Sequence, residues 1–318
     1  MIVVTGANGF VGSHVVALAA EAGHEVWAIG RESSPPPTVK AHATRYSSAD
    51  LSEGWPISED VDAVVHLAGL AAVGPSFAEP QRYFEINSRI MTHLGERLIA
   101  TGAPTRIVVV SSGAVYAPTE SGTVDEFSAT TTSSPYVVAK LLVENQAHYY
   151  ATRGVDVVVA RPFNHIGPGQ SPGFIVPDLT AAVRDAAPGG AVRTGNLHAQ
   201  RDYSDVRDVA RAHLTLATAP AHRHSIYNIS TGTPHSGEEM LRTIADVLGR
   251  TDISSTVDPT RIRPNDPPRI AGDSSRLQSE FGWRPTIPWE QSVRDYIDTL
   301  SSEREERRST DRPAGERP

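Results

Sequence analysis

Short, continuously apolar runs alternate with amphipathic stretches along the first half of the chain. Ile2-Val3-Val4-Thr5 is a β-branched run that stops at Gly6, and Gly12 to Ala22 reads as a helix closed by Gly23. Glu25 to Ile29, Asp62 to Ala68, Arg106 to Ser112 and Val155 to Ala160 read as further strands. Arg89 to Ala100 and Tyr136 to Thr152 read as the helices between them. Strands apolar on both faces, separated by helices, predict a parallel sheet covered on both sides. The fold class expected is therefore α/β, a Rossmann-type doubly wound parallel sheet.

The rhythm breaks after Arg161. Gly and Pro accumulate in Gly167-Pro168-Gly169-Gln170-Ser171-Pro172-Gly173, and residues 259–269 hold four prolines. Helices are predicted near Val176 to Ala186 and Ser236 to Leu248. We expect residues 1–162 to form the dinucleotide-binding domain, with 197–230 packing back onto it. Residues 163–196 and 231–300 should form a smaller mixed α/β substrate-binding lobe. The charged stretch 301–318 is expected to lack order, and no internal repeat is visible.

Composition narrows the possibilities. The chain has 318 residues, 39% of them apolar, which is enough for a large core. Its net charge of −8 comes without a long basic block, so no nucleic-acid partner is expected. With zero Cys, disulfides, thiolate metal sites and a cysteine nucleophile are excluded. No apolar run is long enough to span a membrane, and no basic n-region precedes the first strand, so a cytoplasmic location is expected. The histidines show no metal-ligand spacing, and no metal is expected. Among 29 basic residues only two are lysines, Lys40 and Lys140.

Thr5-Gly6-Ala7-Asn8-Gly9-Phe10-Val11-Gly12 follows a strand and opens a helix. Gly6 suits a tight turn, Gly9 a close approach to pyrophosphate, and Gly12 close helix packing. A dinucleotide cofactor is the consequence. The second strand ends in Gly30-Arg31, where an acid would select NAD. A guanidinium suits a 2′-phosphate, so NADP(H) is favoured and NAD(H) remains possible. Asp50 offers a further contact to the adenine end.

Tyr136 and Lys140 are four apart at a helix start and share one face. Ser112 closes a strand at the sheet edge where ligands bind. An ammonium beside a phenol lowers its ordinary pKa of about 10, so the phenol can exchange a proton with a substrate oxygen.

These residues resemble the extended short-chain dehydrogenase/reductase family that acts on nucleotide sugars. The resemblance spans roughly residues 1–298. It is carried by Gly6 to Gly12, His66-Leu67-Ala68-Gly69, Asn87, Ser111 to Tyr116, Asp125-Glu126, Ser134 to Lys140 and Arg161-Pro162-Phe163-Asn164. Arg201-Asp202-Tyr203, Asp205 to Asp208, Arg263 to Asp266 and Gly282-Trp283-Arg284-Pro285 continue it. Arg161 to Gly173, Gly195 to Val209 and Asp258 to Pro264 look most like the branch that reduces GDP-4-keto-6-deoxy-D-mannose.

The resemblance implies a 4-ketoreductase of a nucleotide-linked 4-keto-6-deoxyhexose. Tyr136 would donate the proton, Lys140 would support it and bind the nicotinamide ribose, and Ser112 would orient the C4 carbonyl. Asn87 would fix the active-site helix or relay protons. Leu67, Ala68, Gly69 and Pro162 would line the cofactor. Asn164 and Arg201 would hold the diphosphate, Arg263 and Asp266 would contact the nucleotide, and Val176 would contact the substrate. His165 would contact the sugar or only pack beside it. The helices near Arg89–Ala100 and Tyr136–Thr152 imply a homodimer.

The departures are also informative. The family's dehydratases carry acids where this chain has Gly113 and Ala114, so 4,6-dehydration is not expected. Ala117 replaces the common Gly, Ala139 the common Ser or Thr, and Gly69 the common Ala. The competing activity is an NAD-dependent nucleotide-sugar 4-epimerase, disfavoured by Gly30-Arg31. A redox-sensing regulator is disfavoured by the Tyr–Lys pair.

Overall fold

β1 (Ile2–Thr5) is buried at all four positions, as a strand inside a covered sheet must be. In the computed structural model the chain turns from it directly into α1 (Phe10–Glu21). The structure describes residues 1–262 and 267–310, the side chains of 303–310 excepted. Next come β2 (Val26–Gly30), α2 (Pro37–His42), β3 (Arg45–Ser48), β4 (Ala63–His66), α3 (Val73–Ser76), α4 (Pro80–Thr101) and β5 (Arg106–Val110). β6 (Thr123–Val124), α5 (Pro135–Thr152), β7 (Asp156–Pro162), β8 (Asn164–Ile166), α6 (Ile175–Asp185) and β9 (Ala191–Thr194) follow. β10 (Gln200–Asp205), α7 (Val206–Thr218), β11 (Ile226–Ile229), β12 (Pro234–Ser236) and α8 (Gly237–Val247) come after these. The described chain ends with β13 (Ser254–Val257), β14 (Arg269–Gly272), α9 (Ser275–Phe281) and α10 (Trp289–Thr310).

Seven strands pair in parallel in the order β11–β7–β5–β4–β1–β2–β3. This is the doubly wound sheet that the apolar runs predict. Alternate residues supply opposite faces: Val4, Val65 and Val158 pack with Val16 of α1 and Leu216 of α7. Val3, Val64 and Ile107 pack with Met91 and Leu94 of α4 and Val143 of α5. Strand order reverses between β1 and β4, and in a sheet of this kind the ligand crevice lies at their C-terminal ends.

The smaller lobe has a sheet ordered β12–β10–β14–β6, with β8 paired to β10 and a separate β13–β9 pair. Its core joins Val176, Leu179, Met240, Ile244, Trp289 and Val293. The lobe boundaries differ from the expected ones in two ways. β6 joins the small sheet from within residues 1–162, and β10 stays in that sheet, so the return to the large sheet begins at α7. The tail also differs from expectation, because α10 continues to Thr310. Glu and Arg, which fill residues 303–308, are strong helix formers and extend a helix already anchored by its buried first turns. Residues 311–318 lie outside the described residues. Among the described residues, no helix is long and apolar enough to cross a membrane.

Candidate active site

The crevice at the β1–β4 seam is built from backbone. A side chain at Gly12 would put a Cβ 2.2 Å from the Gly6 carbonyl oxygen, so only glycine lets α1 start this close to the turn. The first turn of α1 has no side-chain cap on its N–H groups, which suits phosphate oxygens. Asn8, Phe10 and Val11 line this turn half-buried, and Gly9 is exposed. This donor set fits a dinucleotide pyrophosphate.

The end of β2 is crowded by the ends of two side chains. A Cβ at Gly30 would lie 2.3 Å from Asn8 Nδ2 and 2.7 Å from the Tyr46 hydroxyl. Asn8 Nδ2 donates to Tyr46 at 2.9 Å and to Glu32 Oε2 at 2.5 Å, and Tyr46 donates to the Glu32 carbonyl at 2.7 Å. The Asn8 hydrogen bond, helped by the charge of Arg31, holds the Glu32 carboxyl below its ordinary range. Arg31 is exposed. Asp50 Oδ1 accepts the Ser52 hydroxyl at 2.7 Å and its N–H at 2.9 Å, which lowers the Asp50 carboxyl, with Arg31 adding less. Tyr46 and Glu32 were not legible in the sequence, because β3 aligns beside β2 only in the folded sheet.

Leu67, Ala68 and Gly69 leave β4 held by hydrogen bonds on both sides. Thr5 Oγ1 accepts the N–H groups of Leu67 at 3.2 Å and Ala68 at 3.1 Å. Asn87 Oδ1 accepts the Leu70 N–H at 2.7 Å, and Asn87 Nδ2 donates to the Leu70 carbonyl at 3.2 Å. Asn87 is thus bonded to the loop after β4. Gly69 has φ +148°, and a Cβ there would lie 2.6 Å from Asn87 Oδ1.

The phenol and the ammonium come from the start of α5. Ser134 caps the helix by accepting the Val137 N–H at 3.2 Å, and Pro135 occupies its first turn. Tyr136 and Lys140 follow one turn apart, with the Lys140 nitrogen 5.9 Å from the Tyr136 ring centre. Lys140 Nζ donates to the Val110 carbonyl at the end of β5, at 2.8 Å. Burial brings Lys140 down to about 8, opposed by the charge of Glu144. Burial pushes the Tyr136 phenol up, while a hydrogen bond with Ser112 opposes that rise. Ser112 sits two residues past β5 and accepts the Ala114 N–H at 3.1 Å. The structure therefore brings Ser112, Tyr136 and Lys140 together at the sheet edge, while Asn87 of α4 holds the loop after β4. This set can orient a carbonyl and exchange a proton with it.

On the opposite side, β8 pairs with β10 so that Asn164 lies opposite Tyr203, two residues from Arg201. Asn164 is exposed. Arg201 is half-buried, and its Nη1 donates to the Gln200 carbonyl at 2.7 Å. His165 packs: its ring stacks on Phe10 at 5.7 Å and 18°, joining the phosphate turn to the second lobe. Pro162 is buried at the end of β7. Val176 needs correcting as a substrate contact. Its side chain is wholly buried in the core of the lobe and has no surface left for a ligand. Arg263 and Asp266 lie outside the described residues. Among the described residues, no group of three or more His, Cys, Asp or Glu is placed to hold a metal.

The likeness to known proteins follows the same lines. Residues 2–230 match the model of the NAD dependent epimerase/dehydratase family. The chain is 33% identical to the GDP-6-deoxy-D-mannose reductase of Pseudomonas aeruginosa, over 94% of this chain and 96% of that protein. It is 29% identical to the UDP-glucose 4-epimerase of Azospirillum brasilense, over 93% of each. Among solved structures, a UDP-glucose 4-epimerase from Stenotrophomonas maltophila with bound NAD and a formylated UDP-arabinopyranose superposes with a TM-score of 0.84. It is 25% identical, over 96% of this chain and 99% of that one. With a glycine turn at the sheet's switch point and a Ser–Tyr–Lys set on the same edge, the chain belongs to the NAD dependent epimerase/dehydratase family, enzymes of the extended short-chain dehydrogenase/reductase type that modify nucleotide sugars.

Proposed function

We propose that this enzyme is an NADPH-dependent 4-ketoreductase of a nucleotide-linked 4-keto-6-deoxyhexose. The observation that carries the proposal is the end of β2, where Gly30 and Arg31 stand in place of an acid. The Asn8 amide and Tyr46 hydroxyl crowd the position of a side chain at Gly30, Glu32 is engaged by Asn8, and Arg31 stands exposed beside them. That arrangement favours a 2′-phosphate over a bare ribose diol. The similarity to a GDP-6-deoxy-D-mannose reductase supports the same activity.

The fit to a dinucleotide rests on the glycine turn, the uncapped start of α1 and the loop Leu67–Gly69 held by Thr5 and Asn87. When bound, the nicotinamide supplies the hydride that reaches C4. Ser112 holds the C4 oxygen, and Tyr136 gives that oxygen its proton. Lys140 keeps a positive charge beside the phenol as it loses the proton and holds the nicotinamide ribose. Asn164 and Arg201 face the diphosphate. Gly113 also bears on the chemistry. A Cβ there would lie 2.8 Å from the Phe163 ring, and the neighbouring position is Ala114, so neither acid used for 4,6-dehydration is present. We further propose a homodimer formed through α4 and α5, and a cytoplasmic enzyme.

The alternative is a nucleotide-sugar 4-epimerase, favoured by the relatives that bear that name. Incubation with NADPH and a panel of nucleotide-linked 4-keto-6-deoxyhexoses separates the two. Loss of nicotinamide absorbance, with one C4 configuration by NMR, is the expected result. No oxidation across the panel, with NAD copurifying, would establish the epimerase.

A further inference from the structure

One turn beyond Lys140, Glu144 continues the face of α5 that carries Tyr136 and Lys140, so the three residues stand at i, i+4 and i+8. Glu144 is buried, and Arg161 of β7 binds both of its oxygens, Nε to Oε1 at 2.9 Å and Nη2 to Oε2 at 2.6 Å. Arg161 is itself buried and lies over the Tyr116 ring at 4.8 Å. Tyr116 in turn donates to Asn228 Oδ1 at 2.6 Å. A buried ion pair is costly to assemble, and apolar residues of the same shape often stabilise a fold as well or better. Stability therefore gives little reason to bury this pair.

We infer that Glu144, fixed in place by Arg161, is a positioning residue that sets a negative charge one helical turn from Lys140. The inference rests on the Tyr136–Lys140 assignment above. The groups facing Lys140 are few. Tyr136 and Glu144 come from α5, His66 from β4 and the Val110 carbonyl from β5. Tyr83 of α4 faces Tyr136, and Arg161 stands behind Glu144. Among these, Glu144 is the one carboxylate, and it opposes the burial that would strip Lys140 of its proton. The Arg161 fork fixes where that negative charge sits.

The chain's two lysines make a direct test possible. In a Lys40→Arg background the only lysine side chain is Lys140, whose ε-methylene carbon shift reports its titration without substrate. We expect Glu144→Gln to move that titration down by about one pH unit. The alkaline limb of turnover should move with it. Glu144→Asp keeps the charge while losing the fork, so it should destabilise the fold but leave the titration nearly in place. Should Glu144→Gln fail to fold, Glu144→Gln combined with Arg161→Met is expected to show a smaller downward shift, because loss of the more distant Arg161 charge partly offsets loss of the carboxylate. A Lys140 titration that stays put in the folded Gln variant, single or double, would overturn the inference. Inactivity of the parent enzyme toward ketosugars, alongside a shifted titration in the variant, would instead overturn the ketoreductase proposal.

Discussion

The Thr5 hydroxyl lies 2.9 Å from Nδ1 of His66, across the seam where β1 and β4 part the two halves of the sheet. The same oxygen accepts the N–H groups of Leu67 and Ala68, so its own proton goes to His66. That bookkeeping places the His66 proton on Nε2. Burial first, then the charge of Lys140, brings His66 down to about 3, so the ring is neutral wherever the enzyme works. One hydroxyl thus ties the cofactor loop to an uncharged ring beside the active-site ammonium.

Thr5→Val keeps the shape and removes the hydroxyl, leaving two N–H groups and a ring nitrogen unpaired. We expect a loss of about 2–3 kcal/mol in urea unfolding and weaker cofactor binding. Thr5→Ser should retain most of both. A Val variant as stable as the parent would show that the hydroxyl is dispensable.

Tyr136→Phe should lower turnover by roughly 10²- to 10⁴-fold, the usual worth of a positioned proton donor. Cofactor affinity, read by fluorescence titration, should stay near the parent value. Full activity in the Phe variant would remove Tyr136 from the mechanism.

Arg31→Ala should erase a preference for NADPH over NADH. A charge-assisted contact is worth about 1.5–3 kcal/mol, roughly 10- to 100-fold in kcat/KM. Equal use of the two cofactors by both parent and variant would refute the selection argument.

Gly69→Ala places a Cβ at a φ of +148° and against Asn87 Oδ1. We expect a loss of more than about 1 kcal/mol in stability and weaker cofactor binding, measured by thermal shift and titration. An unchanged melting temperature would mean that the loop relaxes freely.

Lys140 binds its proton less tightly folded, at about 8, than in the unfolded chain near 10.5. Between those values the unfolded state holds more protons, so stability rises with pH through that window. Below about pH 8 the buried ammonium is a burden of order 2 kcal/mol, allowing for its partial contact with solvent. Lys140→Met should therefore melt higher at pH 7 and lose turnover, with the stability gain shrinking toward pH 10. A Met variant that melts lower at pH 7 would contradict this.

Much of the fold was legible because burial on both faces of a parallel strand writes a continuous apolar run into the chain. β1, β4, β5 and β7 carry that mark. β3 does not: Arg45, Tyr46, Ser47 and Ser48 form an edge strand with half-exposed or exposed side chains. The first turns of α4 were equally silent, because polar residues cover them and Pro80 hides the start. In α7, much of the buried stripe is alanine, and His213 sits within it.

Spacing within one helix or one turn was enough to pick out Gly6 to Gly12, Ser112, Tyr136 and Lys140 as candidates, since a helix places residues four apart on one face whatever surrounds it. What the tertiary structure alone decided is how those residues are held. Thr5 meets His66 across 61 positions, Asn8 meets Tyr46 across 38, and Glu144 meets Arg161 across 17. Each pair joins separate elements, and local periodicity is blind to such pairs. They form only when strands align in register and carry polar side chains into a space from which water has been removed, where a hydroxyl, an amide or a charge must find its partner in the protein.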